Sequence, residues 1–352
     1  MKAWILEKQA KVETRPLKLV EVPTPLPKDD EVRLKILVCG VCRTDIHIAE
    51  GDLPLKRSPL IPGHEIVGVV DAAGRNVKRF NVGDKAGVYW LHSSCQKCKY
   101  CLSRRENYCP EIKCVGWDVD GGFAEYVTIS EAYALPLNDV HLELAQLAPL
   151  MCPGVAGCAA FKLTEAQSGD KLGLYGFGPT AYYALKIAQS MGIETYVSTR
   201  SPKNIENAIE EGANWAADAS KETMPVKLDA AIVFPPAGNL VEPALSRLKK
   251  GGTLVLAPVS SSPIGIEHYS QNLWGRTIKT LYHLKRADAE EFINIVNELA
   301  LNVGTCLFPF EELPEALILA KQGKLTQPNA VIQITDSLFA PAQRQPPSVR
   351  VS

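Results

Sequence analysis

Lys171-Leu-Gly-Leu-Tyr-Gly176-Phe-Gly178-Pro-Thr-Ala181 decides the fold. Lys171 to Tyr175 has the short apolar character of a buried strand, Gly176 to Gly178 supplies a tight turn, and from Thr180 to Met191 apolar residues recur at helical spacing. Glu194 to Ser198 then reads as a second strand, so the segment predicts a β-α-β unit with its glycines at the first turn. Gly176, Gly178, Pro179, Thr180 and Ala181 have the dinucleotide-binding form with alanine in the last place. Such small residues let the backbone approach a pyrophosphate, whose charge is met by the helix N-terminus. The glycines alone are a weak signal; the strand before them and the helix after them give it force.

Downstream, Asp229 to Phe234 and Gly252 to Val259 read as further buried parallel strands, with helices fitting at Ile205 to Glu211 and Val241 to Leu248. That alternation is the pattern of a doubly wound parallel sheet. Upstream of Pro149 the rhythm differs. Polar and apolar residues alternate from Glu31 to Val38, Ile66 to Val70 is a β-branched run interrupted by Gly68, and Gly83-Asp84 marks a turn before a strand at Lys85 to Tyr89. Frequent Pro and Gly from Pro23 to Gly87 suggest short strands and turns in a barrel-like domain. Beyond Arg286, helical stretches at Asp288 to Leu299 and Leu313 to Lys321 and a final strand near Val331 to Ile334 predict that the chain returns to this first domain. The tail from Thr335 to Ser352, rich in proline and poor in large apolar residues, is expected to be mobile or to pack on a neighbouring subunit.

At 352 residues the chain is long enough for two domains, and a net charge of -1 gives no reason to expect nucleic acid or an anionic membrane as partner. There is no apolar run long enough to span a bilayer, and Met1 to Leu6 lacks a signal-peptide pattern, so the expected location is the cytoplasm. Of the 10 cysteines, five lie between Cys95 and Cys114, too closely spaced for a spread disulfide framework. Cys95-x2-Cys98-x2-Cys101-x7-Cys109 instead lets four thiolates close a tetrahedron around one structural zinc. A cluster of unligated thiols is the plain alternative. A zinc-ribbon nucleic-acid module is another, but it would bring a basic, aromatic-bearing face to a chain that is not basic. A second constellation, Cys39-Gly-Val-Cys42-Arg-Thr44-Asp45-Ile-His47, packs thiol, hydroxyl, carboxylate and imidazole into one run after an apolar strand, with Pro62-Gly-His64-Glu65 as its natural partner.

The four-cysteine lobe, Gly63-His64-Glu65 and Cys42-Arg-Thr-Asp45 together resemble the zinc-dependent alcohol dehydrogenases of the medium-chain dehydrogenase/reductase superfamily, from Met1 to about Ile334. The resemblance implies a GroES-like barrel catalytic domain, residues 1–152 and 288–352, which carries two zincs. Into it is inserted an NAD(P)-binding Rossmann domain, a doubly wound parallel sheet over residues 153–287. It also implies that Cys42, His64 and Cys152 hold a catalytic zinc whose fourth position is open to substrate; this two-cysteine, one-histidine set is the one known for alcohol dehydrogenases. Cys42 is preferred to Cys39 because the family's ligand directly precedes the Arg-Thr-Asp segment. Glu65 is then an outer or transient ligand, and Asp45 orients His64 through its other ring nitrogen. By the same likeness Thr44 contacts the substrate oxygen, and His47 is the outer end of a proton relay through the cofactor ribose. Cys39, Cys158 and Cys306 are left as core residues, and His92, His141, His268 and His283 as structural histidines.

Where an NAD-preferring site places an acid at the end of the second strand, this chain reads Val197-Ser198-Thr199-Arg200-Ser201. Arg200, with the hydroxyls of Ser198, Thr199 and Ser201 and with Lys203 nearby, would suit a 2'-phosphate and so NADP; alternatively Arg200 stacks on the adenine and either cofactor binds. Near Thr326-Gln-Pro-Asn-Ala330, where many relatives carry a pyrophosphate-binding arginine, this chain has none. Trp90 resembles the tryptophan that narrows the pocket of microbial ethanol-type enzymes. Leu53, where some relatives carry another tryptophan, suggests a longer pocket, to which Leu273 and Trp274 would add from the second domain. The expected function is interconversion of primary alcohols and aldehydes by hydride transfer to or from NAD(P), by a homodimer or homotetramer. The alternatives are a polyol or formaldehyde dehydrogenase of the same superfamily, or a non-catalytic NAD(P)-binding zinc protein.

Overall fold

Strands sort into two main sheets that follow the change of rhythm in the sequence. The structure, a computed structural model, describes residues 1–335; beyond Thr335 the tail lies outside the described residues. Lys171–Tyr175, Glu194–Ser198, Leu228–Val233 and Leu248–Leu256 form parallel strands, with helices Pro179–Ser190, Pro202–Glu210 and Val241–Arg247 between them. Two short strands that the sequence did not announce, Trp215–Ala217 and Thr277–Thr280, complete a sheet of six. They sit at its two edges, where a strand is paired on one side only and needs no long apolar run. From edge to edge the strands begin at Trp215, Glu194, Lys171, Leu228, Leu248 and Thr277, all parallel. The order reverses between Lys171–Tyr175 and Leu228–Val233, which opens a crevice at the carboxyl ends of those strands. Gly176 stands at that point with φ +86, and a Cβ there would lie 2.7 Å from Pro235 Cγ, so glycine is required on both counts.

The N-terminal alternation builds a long strand, Glu31–Val41, bent by two register shifts and flanked by Glu65–Ala73, Tyr126–Ser130 and Asn329–Gln333. Asn329–Gln333 pairs antiparallel with the C-terminal half of Glu31–Val41, so the chain does return to its first sheet. Among the described residues this sheet has seven strands.

Helix Pro153–Thr164 leads from the first sheet into the second and packs on Leu228–Val233 and Leu248–Leu256; periodicity missed it because it is buried nearly all round and shows no polar face. It packs on Pro179–Ser190 and on Arg286–Ile295. Phe292 of Arg286–Ile295 is fully buried, its ring edge-on to Tyr183 at 5.7 Å. Phe292→Ala is expected to cost about 3 to 5 kcal/mol through lost burial and the cavity left behind. A denaturant midpoint that stays where it was would show that the helices close over the gap. No single helix among the described residues is long and apolar enough to cross a membrane.

Candidate active site

The strand Glu31–Val41 ends where helix Arg43–Glu50 begins, and Cys42 is the N-cap between them. Asp45, in the first turn, reaches back to accept the Cys42 N–H at 2.8 Å, the Gly63 N–H at 3.2 Å and the His64 ring nitrogen Nδ1 at 3.0 Å. Three donors thus hold a carboxylate that is 1 % exposed. Gly63, at φ +96, brings His64 into place, and a Cβ there would be 2.9 Å from the Phe123 nitrogen.

With Nδ1 committed to Asp45, His64 Nε2 is left buried and without a hydrogen-bond partner. It does not face an apolar wall. Its group offers one ligand atom each from Cys42, His64, Glu65 and Cys152, all within 4.8 Å of one another, and the two sulfurs are 3.7 Å apart. A hydrogen bond from Cys152 and the neighbouring His64 hold the Cys42 thiol well below its usual range; the bond to Cys42 and burial push Cys152 well above. Burial would depress the His64 pKa, yet the Asp45 charge and hydrogen bond outweigh it and raise it well above the ordinary histidine value. Burial raises the Glu65 carboxyl, as do the Cys42 and Asp45 charges. Two sulfurs, two carboxyls and an imidazole thus crowd together, buried at Asp45, His64 and Glu65 and partly so at the two cysteines, an arrangement that a divalent cation would satisfy by displacing protons. The donor set and the orphaned Nε2 fit zinc.

The second cysteine group is equally close. Cys95, Cys98, Cys101 and Cys109 place their sulfurs within 4.8 Å of one another, and none is in a disulfide. Backbone N–H groups aim at the sulfurs: that of Cys98 meets Cys95 Sγ at 3.3 Å and that of Cys95 meets Cys109 Sγ at 3.4 Å. Backbone donors, that of Lys97 foremost, bring the Cys95 thiol down to about 7, while burial lifts Cys109 to about 12. Four sulfurs with no fifth, open position suit a structural zinc. Cys114 is buried outside this group, its sulfur 3.9 Å from His283 Nδ1.

Thr44 Oγ1 lies 3.6 Å from Cys42 Sγ. His47, a turn further along the helix, pairs through Nδ1 with Asp52 at 2.7 Å, and Asp52 is 66 % exposed. Sequence reasoning passed over Asp52, although a carboxylate five residues past a relay histidine was visible. Leu53 is partly buried, its N–H bonded to the His47 carbonyl at 3.1 Å. Trp90 meets His64 edge-on, centroids 5.0 Å apart, and so stands beside the metal-ligand group. Leu273 and Trp274 do not join it: they precede the strand Thr277–Thr280 at its amino end, away from the crevice, and Trp274 is 64 % exposed beneath Lys250.

At the nucleotide crevice Gly178 caps helix Pro179–Ser190, and a Cβ on it would meet nothing within 4 Å, so open space lies before the helix N-terminus. Thr180 and Ala181 form the first turn, a cradle that fits a pyrophosphate. Ser198 ends the second strand and its carbonyl accepts the Gly176 N–H at 2.8 Å. Thr199 is buried and Arg200 exposed. The Ser201 hydroxyl oxygen caps the next helix by accepting the Asn204 N–H, and Lys203 Nζ reaches the Thr326 carbonyl at 3.5 Å. One carboxylate was missed. Asp218, just past the edge strand Trp215–Ala217, is held down chiefly by hydrogen bonds from Ser220, with Lys221 and then Arg200 adding their charge.

Residues 28–139 match the alcohol dehydrogenase GroES-like domain family. A probable alcohol dehydrogenase AdhA from Mycobacterium tuberculosis is 39% identical over 323 residues, covering 90% of this chain and 93% of that protein. An alcohol dehydrogenase from Geobacillus stearothermophilus is 34% identical over 318 residues, 88% of this chain and 93% of its own length. Among solved structures, a cinnamyl alcohol dehydrogenase from Sorghum bicolor superimposes with a TM-score of 0.86 at 25% identity, covering 96% of this chain and 98% of that one. The chain belongs to the zinc-dependent alcohol dehydrogenases of the medium-chain dehydrogenase/reductase superfamily. It is an NAD(P)-dependent oxidoreductase of alcohols and aldehydes.

Proposed function

We propose that this enzyme interconverts primary alcohols and aldehydes, with one zinc held by Cys42, His64 and Cys152, a second by Cys95, Cys98, Cys101 and Cys109, and NADP as its preferred cofactor. The orphaned His64 Nε2, facing two sulfurs with Trp90 at its edge, carries this reading. When bound, the metal would supply a Lewis acid for the reacting oxygen and the nicotinamide ring would take or return hydride. Around that chemistry Asp45 holds the His64 ring with Nε2 inward, and Glu65 stands as an outer ligand. Thr44 Oγ1 would accept the substrate hydroxyl proton as it passes its own hydroxyl proton outward, and His47, paired with Asp52 near solvent, stands as the outer end of that relay to water. Gly176, Gly178, Pro179, Thr180 and Ala181 receive the pyrophosphate, and Ser198, Thr199, Arg200 and Lys203 the ribose end. We place the domain boundaries near 152/153 and 287/288, and the working form as a cytoplasmic homodimer or homotetramer. Kinetics with NADH and NADPH across aldehydes of increasing length, beside zinc stoichiometry, test the whole reading: one metal per chain would point to a non-catalytic protein.

Substrate shape follows from Trp90. A primary alcohol puts only hydrogen beside its reacting carbon, whereas a secondary alcohol must place a second carbon against the indole. Overpacking of that kind costs about 1 to 3 kcal/mol in protein cores, enough for a preference of roughly tenfold. Leu53 leaves length in the other direction, so longer linear or aromatic primary substrates should be accepted. Trp90→Ala is expected to raise activity on 2-propanol relative to 1-propanol by about that factor. If the native enzyme already turns both over equally, Trp90 does not bound the pocket.

A further inference from the structure

Trp90 belongs to the N-terminal part of the chain, directly before the strand Leu91–Ser93, while His283 follows Thr277–Thr280, the last strand of the nucleotide-binding sheet. They meet. The indole Nε1–H of Trp90 donates to His283 Nδ1 at 2.8 Å, and the two rings stack with centroids 6.2 Å apart. Trp90 also stacks on Trp117 at 5.9 Å. The sequence offered no sign of this contact, because 193 positions separate its partners.

The segment that carries His283 is clamped on both sides by three consecutive residues of the four-cysteine lobe. Asn107 Nδ2 donates to the Tyr282 carbonyl at 2.9 Å, the Tyr108 ring stacks on Tyr282 at 5.7 Å, and Glu106 Oε1 accepts the Arg286 N–H at 2.7 Å. His283 itself has φ +50, a conformation that asparagine and glycine share more readily than other residues. Its Nδ1 accepts only while unprotonated. Burial, helped by the Lys56 charge and opposed by Asp118, holds its pKa below the ordinary histidine value, and the neutral ring accepts at Nδ1 with its proton on Nε2.

We infer that His283 is a specificity-determining positioning residue: by accepting the Trp90 indole hydrogen it fixes the ring that bounds the substrate pocket. An indole whose N–H has lost its partner would turn to find another, and the wall beside the reacting carbon would move with it. The preference for primary substrates is thereby set partly from the nucleotide-binding half, through a segment that the four-cysteine lobe holds still. The inference rests on the reading of Trp90 as the pocket wall.

The test is the ratio of kcat/KM for 1-propanol to that for 2-propanol. His283→Gly keeps the backbone conformation and removes the acceptor; it should lower the ratio about three- to tenfold, the worth of one hydrogen bond. His283→Asn places an amide oxygen where Nδ1 was, and should keep the ratio within about twofold of native. In a Trp90→Phe background, which has no indole N–H, His283→Gly should change nothing further. Should the glycine variant not fold, His283→Ser, too short to reach the indole, takes its place. An unchanged ratio in His283→Gly, an equal fall in His283→Asn, or an undiminished fall in the Trp90→Phe background would each overturn the inference. Trp90→Ala separates the two layers. If it changes the ratio while His283→Gly does not, only the His283 assignment fails; if Trp90→Ala has no effect, the pocket reading fails first and takes His283 with it.

Discussion

Cys42→Ala should lose nearly all turnover while the protein stays folded and keeps the metal of its four-cysteine lobe. A Lewis acid at the reacting oxygen is worth several kcal/mol and about 1.4 kcal/mol is a factor of ten, so the loss should reach roughly a thousandfold. Metal content should fall from the proposed two per chain to one, because His64, Cys152 and Glu65 keep only one of the two sulfurs of the donor set. The fold should be little affected, since Cys42 is only partly buried and its backbone N–H, the group that Asp45 accepts, survives the change. Cys98→Ser should do the opposite. It would open the closed site proposed for zinc, where bound metal would contribute directly to folding, and loosen the lobe from which Glu106, Asn107 and Tyr108 grip the 282–286 segment. A loss of at least about 3 kcal/mol in stability is expected, read as a lowered unfolding midpoint with one zinc gone. Equal loss of fold in both variants would sink this division of labour.

Arg200→Ala should weaken NADPH and leave NADH almost unchanged. A charge-assisted hydrogen bond is worth about 1.5 to 3 kcal/mol, and because Arg200 is exposed to solvent the lower figure applies, roughly tenfold in the dissociation constant. Asp218 sharpens the expectation. The Arg200 charge is the smallest of the influences that lower its pKa, after the Ser220 hydrogen bonds and Lys221, and a carboxylate drawn to that guanidinium would compete with a 2'-phosphate for it. Asp218→Asn should therefore tighten NADPH by a few-fold where Arg200→Ala loosens it. Fluorescence titration of both reduced cofactors decides the matter, and a native enzyme that clearly prefers NADH would contradict the NADP reading before any variant is made.

Much of this molecule was legible in the order of its residues, where local chemistry decides local structure. Strand Lys171–Tyr175 and the glycine turn after it follow from a short apolar run and two small residues, and the structure has that strand at those same residues. The four cysteines at 95, 98, 101 and 109 reveal themselves by spacing, since ligands that close in sequence must be close in space. Helix Pro153–Thr164 was hidden because burial on every side erases periodicity, and the edge strands Trp215–Ala217 and Thr277–Thr280 because short, half-paired strands need little apolar character. The remaining features depend on distant segments meeting. Cys152 comes within 3.7 Å of Cys42 across 110 positions, a proximity that the family likeness implied but no spacing rule contains. The influence of the Arg200 charge on Asp218 and the bond from Trp90 to His283 had no local signal at all. Sequence alone determined which chemical groups were present and which short segments would hold them. Tertiary packing decided which of those groups share a buried space, because only there does water cease to screen one charge from another.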